Sequence, residues 1–204
     1  MRPTNNEELL KKYFEKECED FTKLLEKSDG LERTISIGAI DEDTGVVVDE
    51  LIRFWNRYDD EREIPVEERE PIKMYIDSPG GYLSSVFTSV DAISLSKTPV
   101  WTINVGCAYS GGFFIFLAGH RRITYPHSSF LYHEGSTSTG GNADRFDNFT
   151  DFYKKQRELL KNITLKYTKV TEEEYNQHKN EDWWILSNEA IEKGIADEIA
   201  TTLI

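Results

Sequence analysis

The pattern of hydrophobic and polar positions predicts a strand, a turn and a helix, and this order recurs along the first half of the chain. Residues 34–40 alternate as a strand does, and residues 44–57 carry apolar side chains at helical spacing. Residues 72–96 predict a strand, a Pro/Gly turn and a helix, and residues 99–118 repeat that order. Two consecutive strand–turn–helix units predict a mixed α/β fold with parallel strands at its centre.

The second half predicts shorter elements around one long helix. That helix runs from Ala143 to about Lys169, and its aromatic and aliphatic side chains cover more than one face, which is typical of a helix buried on more than one side. Around it we expect short strands at 122–125, 129–133 and 195–199, a helix at 171–178, and a serine-capped helix at 187–194.

Two further segments precede the strand–turn–helix unit at 72–96. Residues 6–28 carry apolar side chains at helical spacing, which predicts an amphipathic N-terminal helix that either packs on the surface or serves as a docking or assembly element. Residues 58–71 are the most charged part of the chain and predict a solvated loop. We therefore expect a helical extension at 1–30 and one domain at 31–204.

Charge and cysteine content narrow the function classes. The chain has 204 residues, with 24 Lys and Arg against 37 Asp and Glu, and the resulting net charge of −13 disfavours binding to nucleic acid phosphates. Cys18 and Cys107 form neither a disulfide framework nor a Cys-x-x-Cys motif. No apolar run is long enough to span a bilayer. These features indicate a cytoplasmic protein without a membrane partner, a cofactor or a metal.

Ser110 is the candidate nucleophile because it falls where a predicted strand turns into a helix N-terminus, a place that favours developing negative charge. A plain N-cap serine fits the same position. His133 ends an apolar strand just before a turn and is the histidine best placed as a general base, although a structural role fits it as well. The paired glycines of the turn at 77–81 can present backbone N–H groups to an oxyanion, or the segment can simply be a turn.

Several ordered motifs together resemble the proteolytic subunit of the Clp protease. Residues 78–81 (Ser-Pro-Gly-Gly) match that family's oxyanion turn, and residues 106–111 (Gly-x-Ala-x-Ser-Gly) match its nucleophile turn. Residues 117–119, Pro126 and residues 131–133 match the stretch that leads to its histidine. The separations between the motifs also match, and the resemblance covers most of the chain, from about Thr34 to Ile199. It implies the α/β fold shared by ClpP-like peptidases and crotonases, built of repeated β-β-α units with a long handle helix in the region 135–170.

The resemblance also implies a catalytic set. Ser110 would be the nucleophile, His133 the general base and Asp182 the carboxylate that orients the imidazole, while the backbone N–H groups of Gly81 and Gly111 would stabilise the oxyanion. From the residues alone, an Asp before two tryptophans is equally suited to cap a helix or turn. Only the family register selects Asp182.

The chain departs from the family at four places. Gly135 stands where the family usually has proline, and Gly111 stands where methionine commonly follows the nucleophile. The loop at 58–71 is longer than expected. The predicted helix at 6–28 replaces the segment that in the family lines the axial entrance and meets the ATPase. These departures fit a divergent, phage-like member and leave partnership with a Clp-type ATPase open.

The implied function is a cytoplasmic serine endopeptidase that hydrolyses unfolded polypeptides inside a homo-oligomer of stacked heptameric rings. Three alternatives remain open at this stage. They are a catalytically silent ring subunit, a crotonase-like enzyme acting on acyl-CoA thioesters, and a phage head-maturation peptidase on the same fold. The first two differ from the leading hypothesis in whether Ser110 is reactive.

Overall fold

The fold is built on a mixed sheet flanked by helices, as the computed structural model shows for residues 33–135, 137–138 and 140–204. The strands are β1 (Thr34–Ile37), β2 (Ile72–Ser78), β3 (Val100–Tyr109), β4 (Arg121–Thr124), β5 (Ser129–Tyr132), β6 (Trp183–Leu186) and β7 (Glu198–Ile199). The helices are α1 (Thr44–Glu61), α2 (Leu83–Leu95), α3 (Gly111–Leu117), α4 (Ala143–Tyr167), α5 (Glu172–His178) and α6 (Ser187–Glu192), with a 3₁₀ turn at Val66–Glu68. The helix predicted at 6–28, and with it the extension at 1–30, lies outside the described residues.

The strand order is β1-β2-β3-β4-β7, and all of these neighbours are parallel. β5 also pairs in parallel with β3, and β6 pairs antiparallel with β5. The prediction of a mixed α/β fold with parallel central strands is therefore confirmed. Because β2 and β3 are parallel neighbours, the turns that follow them lie at the same edge of the sheet.

β3 changes its partner halfway along its length. Its first half, Trp101 to Asn104, pairs with β4, and its last three residues pair with β5. The change coincides with an irregularity against β2, where the register moves from Ile76 opposite Asn104 to Ser78 opposite Ala108. The buried side chain of Asn104 fills the gap, because its amide donates to Ser129 O at 3.0 Å and its oxygen accepts from Gly106 N at 3.2 Å.

The helices cover the sheet unequally. All seven residues of α3 are buried, as its sequence Gly-Gly-Phe-Phe-Ile-Phe-Leu requires. α4 is different, since only Leu160 and Thr164 of its described residues are buried. Phe146, Phe152 and Leu159 are exposed. In the single chain α4 is therefore buried along one side only, and burial of its other faces, as the sequence predicts, would require contact with other subunits.

The charged stretch at 58–71 is not simply a solvated loop. α1 continues through it to Glu61, and Asp59 is fully buried. The Asp59 carboxylate accepts hydrogen bonds from the Arg33 guanidinium at 2.5 and 2.8 Å and from Thr98 Oγ1 at 2.7 Å. Arg69, also buried, donates to Thr98 Oγ1. This network joins the start of β1, the end of α1 and the turns before β2 and β3.

Three other sequence expectations need correction. β3 extends four residues beyond the predicted end at Val105 and reaches Tyr109. β6 was not predicted, because its alternation of buried and exposed side chains spans only four residues. Ser187 is not an N-cap but the first residue of α6, and its hydroxyl donates to backbone oxygens of Tyr125 and Ser128.

No helix in the described part of the chain is both long enough and apolar enough to cross a membrane.

The buried Asp59 leads to a prediction about stability and pH. Burial raises the pKa of Asp59, but the hydrogen bonds from Arg33 and Thr98 and the nearby guanidinium charges outweigh it, so the pKa is lowered. Asp59→Asn removes the buried counterion of Arg33 and leaves it, among the described residues, only the exposed Glu70 carboxylate, 3.9 Å away, so we expect the free energy of unfolding to fall by about 3 kcal/mol at neutral pH. A lowered pKa means that folding favours the ionised form of Asp59. The difference in unfolding free energy between wild type and Asp59→Asn will therefore persist above about pH 5 and shrink below about pH 4.

Urea unfolding monitored by tryptophan fluorescence across this pH range will measure the difference. Asp151→Asn is the matched control, because Asp151 pairs with Lys154 at the exposed surface and should change the midpoint little. Equal midpoints for Asp59→Asn and Asp151→Asn would contradict the prediction.

Candidate active site

Ser110 occupies a strained turn between β3 and α3. Its φ of 52° and ψ of −117° lie outside the regions that side-chain-bearing residues normally adopt. Although Ser110 stands at the N-cap position, its side chain caps no helix N–H. Its backbone N–H instead donates to Leu131 O at 2.9 Å, which ties the turn to β5. The N-cap interpretation of Ser110 therefore does not describe what its hydroxyl does.

His133 lies directly beside this hydroxyl. Its Nε2 is 2.6 Å from Ser110 Oγ, a hydrogen-bonding distance. The contact follows from strand pairing. Tyr109 at the end of β3 lies opposite Leu131 of β5, so Ser110 and His133 come shortly after paired residues of neighbouring strands. An imidazole nitrogen at this distance can take the proton of the hydroxyl and make it a nucleophile.

Asp182 approaches the other imidazole nitrogen but does not bond to it. Its Oδ1 is 3.6 Å from His133 Nδ1, beyond hydrogen-bond range, and its side chain is 59% exposed. The antiparallel register that sets Tyr132 opposite Trp183 brings His133 and Asp182 next to each other just past the paired residues. The structure thus brings all three predicted side chains together, with the carboxylate the most loosely held.

The two glycine turns pack against one another beside Ser110. Ile40 N donates to Gly80 O at 2.9 Å and Tyr82 N donates to Ile40 O at 3.0 Å, so these bonds leave the N–H of Gly81 unused. Gly111 is the first residue of α3, and its N–H has no acceptor within the helix. A Cβ at Gly111 would come within 3.5 Å of Gly81 N, and a Cβ at Gly80 would lie 3.0 Å from Gly111 N, so the backbones of the two turns are in contact beside Ser110.

Steric contact favours glycine directly after Ser110. A Cβ on Gly111 would lie 2.6 Å from a methyl carbon of Val86 on α2. A larger residue at position 111 would therefore require the Val86 side chain or the α2 backbone to shift. Gly80 is equally constrained, since its φ is 97° and a Cβ there would lie 2.6 Å from Ser110 Cβ.

A cleft of about 1190 Å³ opens beside Ser110 and His133. Its apolar lining comes from α2, α3 and α4 through Val86, Phe114, Phe149, Tyr153 and Leu160. The turns at Gly80 and Gly81 and the segment after His133 complete its rim. A cleft of this size and character can hold an apolar side chain and a stretch of extended backbone.

Sequence reasoning missed the contacts that α4 makes with the residue after His133. Arg157 donates through Nη2 to the carboxylate of Glu134, and Tyr153 Oη donates to Glu134 O at 2.9 Å. The available signal was the spacing of Tyr153 and Arg157, four residues apart and hence on one helix face. That spacing alone does not reveal the partner.

Three other titratable groups in this region have raised pKa values. Burial, together with hydrogen bonding to Asp77 and its charge, raises the pKa of Cys107 to about 11, which makes its thiol a poor competitor for Ser110. Burial and the hydrogen bond to Tyr175 raise the pKa of Tyr132, and burial raises that of Tyr153. Among residues 33–135, 137–138 and 140–204, no group of His, Cys, Asp or Glu side chains is arranged to hold a metal ion.

Comparison with known proteins decides the family. The model of the family described as Clp protease matches residues 65–203, more than half of the chain. The chain belongs to the Clp protease family. The resemblance of its motifs to the proteolytic subunit is thereby confirmed, and the mixed α/β architecture is consistent with the fold of that subunit.

The relatives of this Clp protease family member are distant. It is 30% identical to ATP-dependent Clp protease proteolytic subunit 2 of Treponema pallidum over 132 residues, 64% of this chain and 66% of the relative. It is 28% identical over 172 residues to the proteolytic subunit of Dehalococcoides mccartyi, 82% of each chain. It is 30% identical to proteolytic subunit 3 of Rhizobium etli over 135 residues, 65% of this chain and 70% of the relative. The match to the first of these spans about two thirds of that relative's length.

The packing of the two glycine turns predicts the effect of a single methyl group. Gly80→Ala forces a Cβ against Ser110 in a backbone conformation that favours glycine, and we expect the rate of labelling by a fluorophosphonate to fall about 100-fold. Mass spectrometry of the labelled protein measures the rate. Gly38→Ala is the control, since a Cβ at Gly38 meets nothing within 4 Å and should leave the rate unchanged. Equal rates in the two variants would contradict the steric account.

Proposed function

We propose that this protein is a serine peptidase that cleaves unfolded polypeptides by acyl transfer to Ser110. The observation that carries the proposal is the 2.6 Å contact between Ser110 Oγ and His133 Nε2 in a strained turn at the edge of a cleft. Family membership supports peptide hydrolysis as the reaction. The serine mechanism rests on the geometry of these side chains.

Acylation begins when Ser110 Oγ attacks the scissile carbonyl carbon while His133 Nε2 takes the hydroxyl proton. The carbonyl oxygen becomes an oxyanion, which accepts hydrogen bonds from the N–H groups of Gly81 and Gly111. The protonated His133 then donates to the leaving amine, the C–N bond breaks, and an acyl-serine remains. Water, deprotonated by His133, attacks this ester and releases the acid, and the proton returns to Ser110.

Asp182 has a supporting role in this mechanism. Its carboxylate faces His133 Nδ1 and stabilises the imidazolium that forms during each step. At 3.6 Å and largely in solvent, it acts through space in water-screened surroundings and contributes less than a buried, hydrogen-bonded carboxylate would.

The proposal includes a cytoplasmic assembly of stacked heptameric rings whose chamber restricts access to unfolded chains. The exposed apolar side chains of α4, namely Phe146, Phe152 and Leu159, support burial of this helix against other subunits. The names of the relatives include "ATP-dependent", which supports a Clp-type ATPase as a partner. No cofactor takes part in the proposed chemistry.

The alternative functions differ in whether they require the contact between Ser110 and His133. A silent ring subunit has no use for a serine held in a strained turn against a histidine, and a crotonase-like enzyme needs the paired N–H groups but not that contact. A head-maturation peptidase shares the chemistry and differs only in substrate. The Ser110–His133 contact therefore favours a peptidase over the first two.

The nucleophile test uses short fluorogenic peptides and a fluorophosphonate. Ser110→Ala should reduce kcat by at least about 10³-fold and abolish labelling, because it removes the hydroxyl on which the acyl intermediate is proposed to form. His133→Ala should do the same, while Cys107→Ala should retain activity. Unchanged cleavage by Ser110→Ala would reject the serine mechanism, and hydrolysis of an acyl-CoA thioester without Ser110 would favour the crotonase-like alternative.

A graded effect is expected at the third residue. Asp182→Asn should lower kcat by about 10- to 100-fold, well below the roughly 10⁴-fold loss that follows removal of the charge from a buried triad carboxylate. The neighbouring Glu181→Gln serves as the control, because Glu181 pairs with His178 and not with His133. A loss as large as that of Ser110→Ala would show that Asp182 closes onto the imidazole during turnover.

A further inference from the structure

The segment that follows His133 is held by α4 rather than by the sheet. β5 ends at Tyr132, so strand pairing stops one residue before the histidine. The next residue, Glu134, is fixed twice from α4, since Tyr153 donates to its carbonyl oxygen and Arg157 donates to its carboxylate. His133 is thus the residue between the last strand partner and this attachment.

α4 offers a firm support at this point. Its two contacting residues lie one turn apart on the same face. Leu160 and Thr164, in the next turns, are the buried residues by which α4 enters the core. The part of α4 that reaches Glu134 therefore adjoins the part anchored in the core.

The Arg157–Glu134 pair is sheltered enough to matter energetically. The Glu134 side chain is 18% exposed and the Arg157 side chain 37% exposed. A charge-assisted hydrogen bond in such a setting is stronger than one at the open surface, and loss of the arginine would leave a partly buried carboxylate without its counterion. Arg157 Nε is buried without a hydrogen-bond partner in the described part of the chain, so the contact with Glu134 leaves one donor of the guanidinium unsatisfied.

The need for this support follows from the looseness of Asp182. In a tight triad the carboxylate fixes the imidazole through Nδ1, but here that distance is 3.6 Å. The orientation of the His133 imidazole therefore depends more on the position of the His133 backbone than on the Asp182 carboxylate. That position is set on one side by β5 and on the other by Glu134.

We propose that Arg157 is a positioning residue that acts through Glu134 to keep His133 within reach of Ser110. The inference rests on the proposed serine mechanism and assigns a role in it to α4. Arg157 touches no reacting atom. Its effect falls on the rate of acylation and not on the binding of peptide in the cleft.

The test compares two ion pairs of the same helix. Arg157→Gln breaks the link to Glu134, whereas Lys161→Gln breaks a link of α4 to Glu172 on α5 and leaves the catalytic segment alone. We expect Arg157→Gln to lower kcat and the fluorophosphonate labelling rate about tenfold with KM within about twofold of wild type. Lys161→Gln should match wild type, and Arg157→Lys should recover part of the loss because it keeps the charge.

A double-mutant cycle separates a direct link from general destabilisation. Glu134→Gln alone should resemble Arg157→Gln, and the double variant should be no slower than the worse single variant, because both changes remove the same contact. Hydrogen exchange should show faster exchange at residues 133–135 in Arg157→Gln and not in Lys161→Gln.

The outcomes distinguish the two proposals. If the wild type is labelled but Arg157→Gln and Lys161→Gln have equal kcat and equal labelling rates, the positioning role alone is overturned. Additive effects in the double-mutant cycle, or a change confined to KM, would overturn it as well. A wild type that is neither labelled nor able to cleave peptides overturns the serine mechanism, and the positioning role with it. If Arg157→Gln does not fold, the same comparison is made with Arg157→Lys and Glu134→Gln.

Discussion

The change of partner within β3 is the constraint on which the site depends. A strand can pair on one side with β4 and then with β5 only if its backbone bends between them, and the bend leaves polar groups that must be satisfied. Asn104 satisfies them from inside the core. Because the bend sends the end of β3 alongside β5, Ser110 and His133 emerge from adjacent strands at hydrogen-bonding distance.

The same geometry explains why three separate turns meet at one place. The parallel pairing of β2 and β3 brings Gly80 and Gly81 against Ser110, and the antiparallel pairing of β5 and β6 brings Asp182 to His133. The first approach is close enough that a single methyl group at Gly80 or Gly111 would collide with a neighbour. Strand pairing thus places the backbones of Ser110, His133 and Asp182 near one another, and their side chains need only adopt suitable rotamers to meet.

Periodicity and turn residues were sufficient to predict the parallel α/β core, and the position of Ser110 between a strand and a helix followed from them. Contacts between distant segments were not predictable in this way. Asp59 lies among acidic residues that look solvent-exposed in sequence, and its burial depends on Arg33 and Thr98 arriving from elsewhere. β6 was too short for its alternation to be distinctive, and the Glu134–Arg157 contact joins residues whose spacing carries no pattern.

The pairing of β5 with β6 also separates segments that differ in how well they tolerate insertions. The segment between Tyr132 and Trp183 begins and ends at residues that pair with each other. The positions of its two ends are therefore fixed by the sheet, whatever the length of the segment. The entropic cost of lengthening such a loop rises only slowly. Insertions ahead of the turn of α4 that bears Tyr153 and Arg157 can therefore reshape the outer surface of the molecule while His133 and Asp182 remain in register.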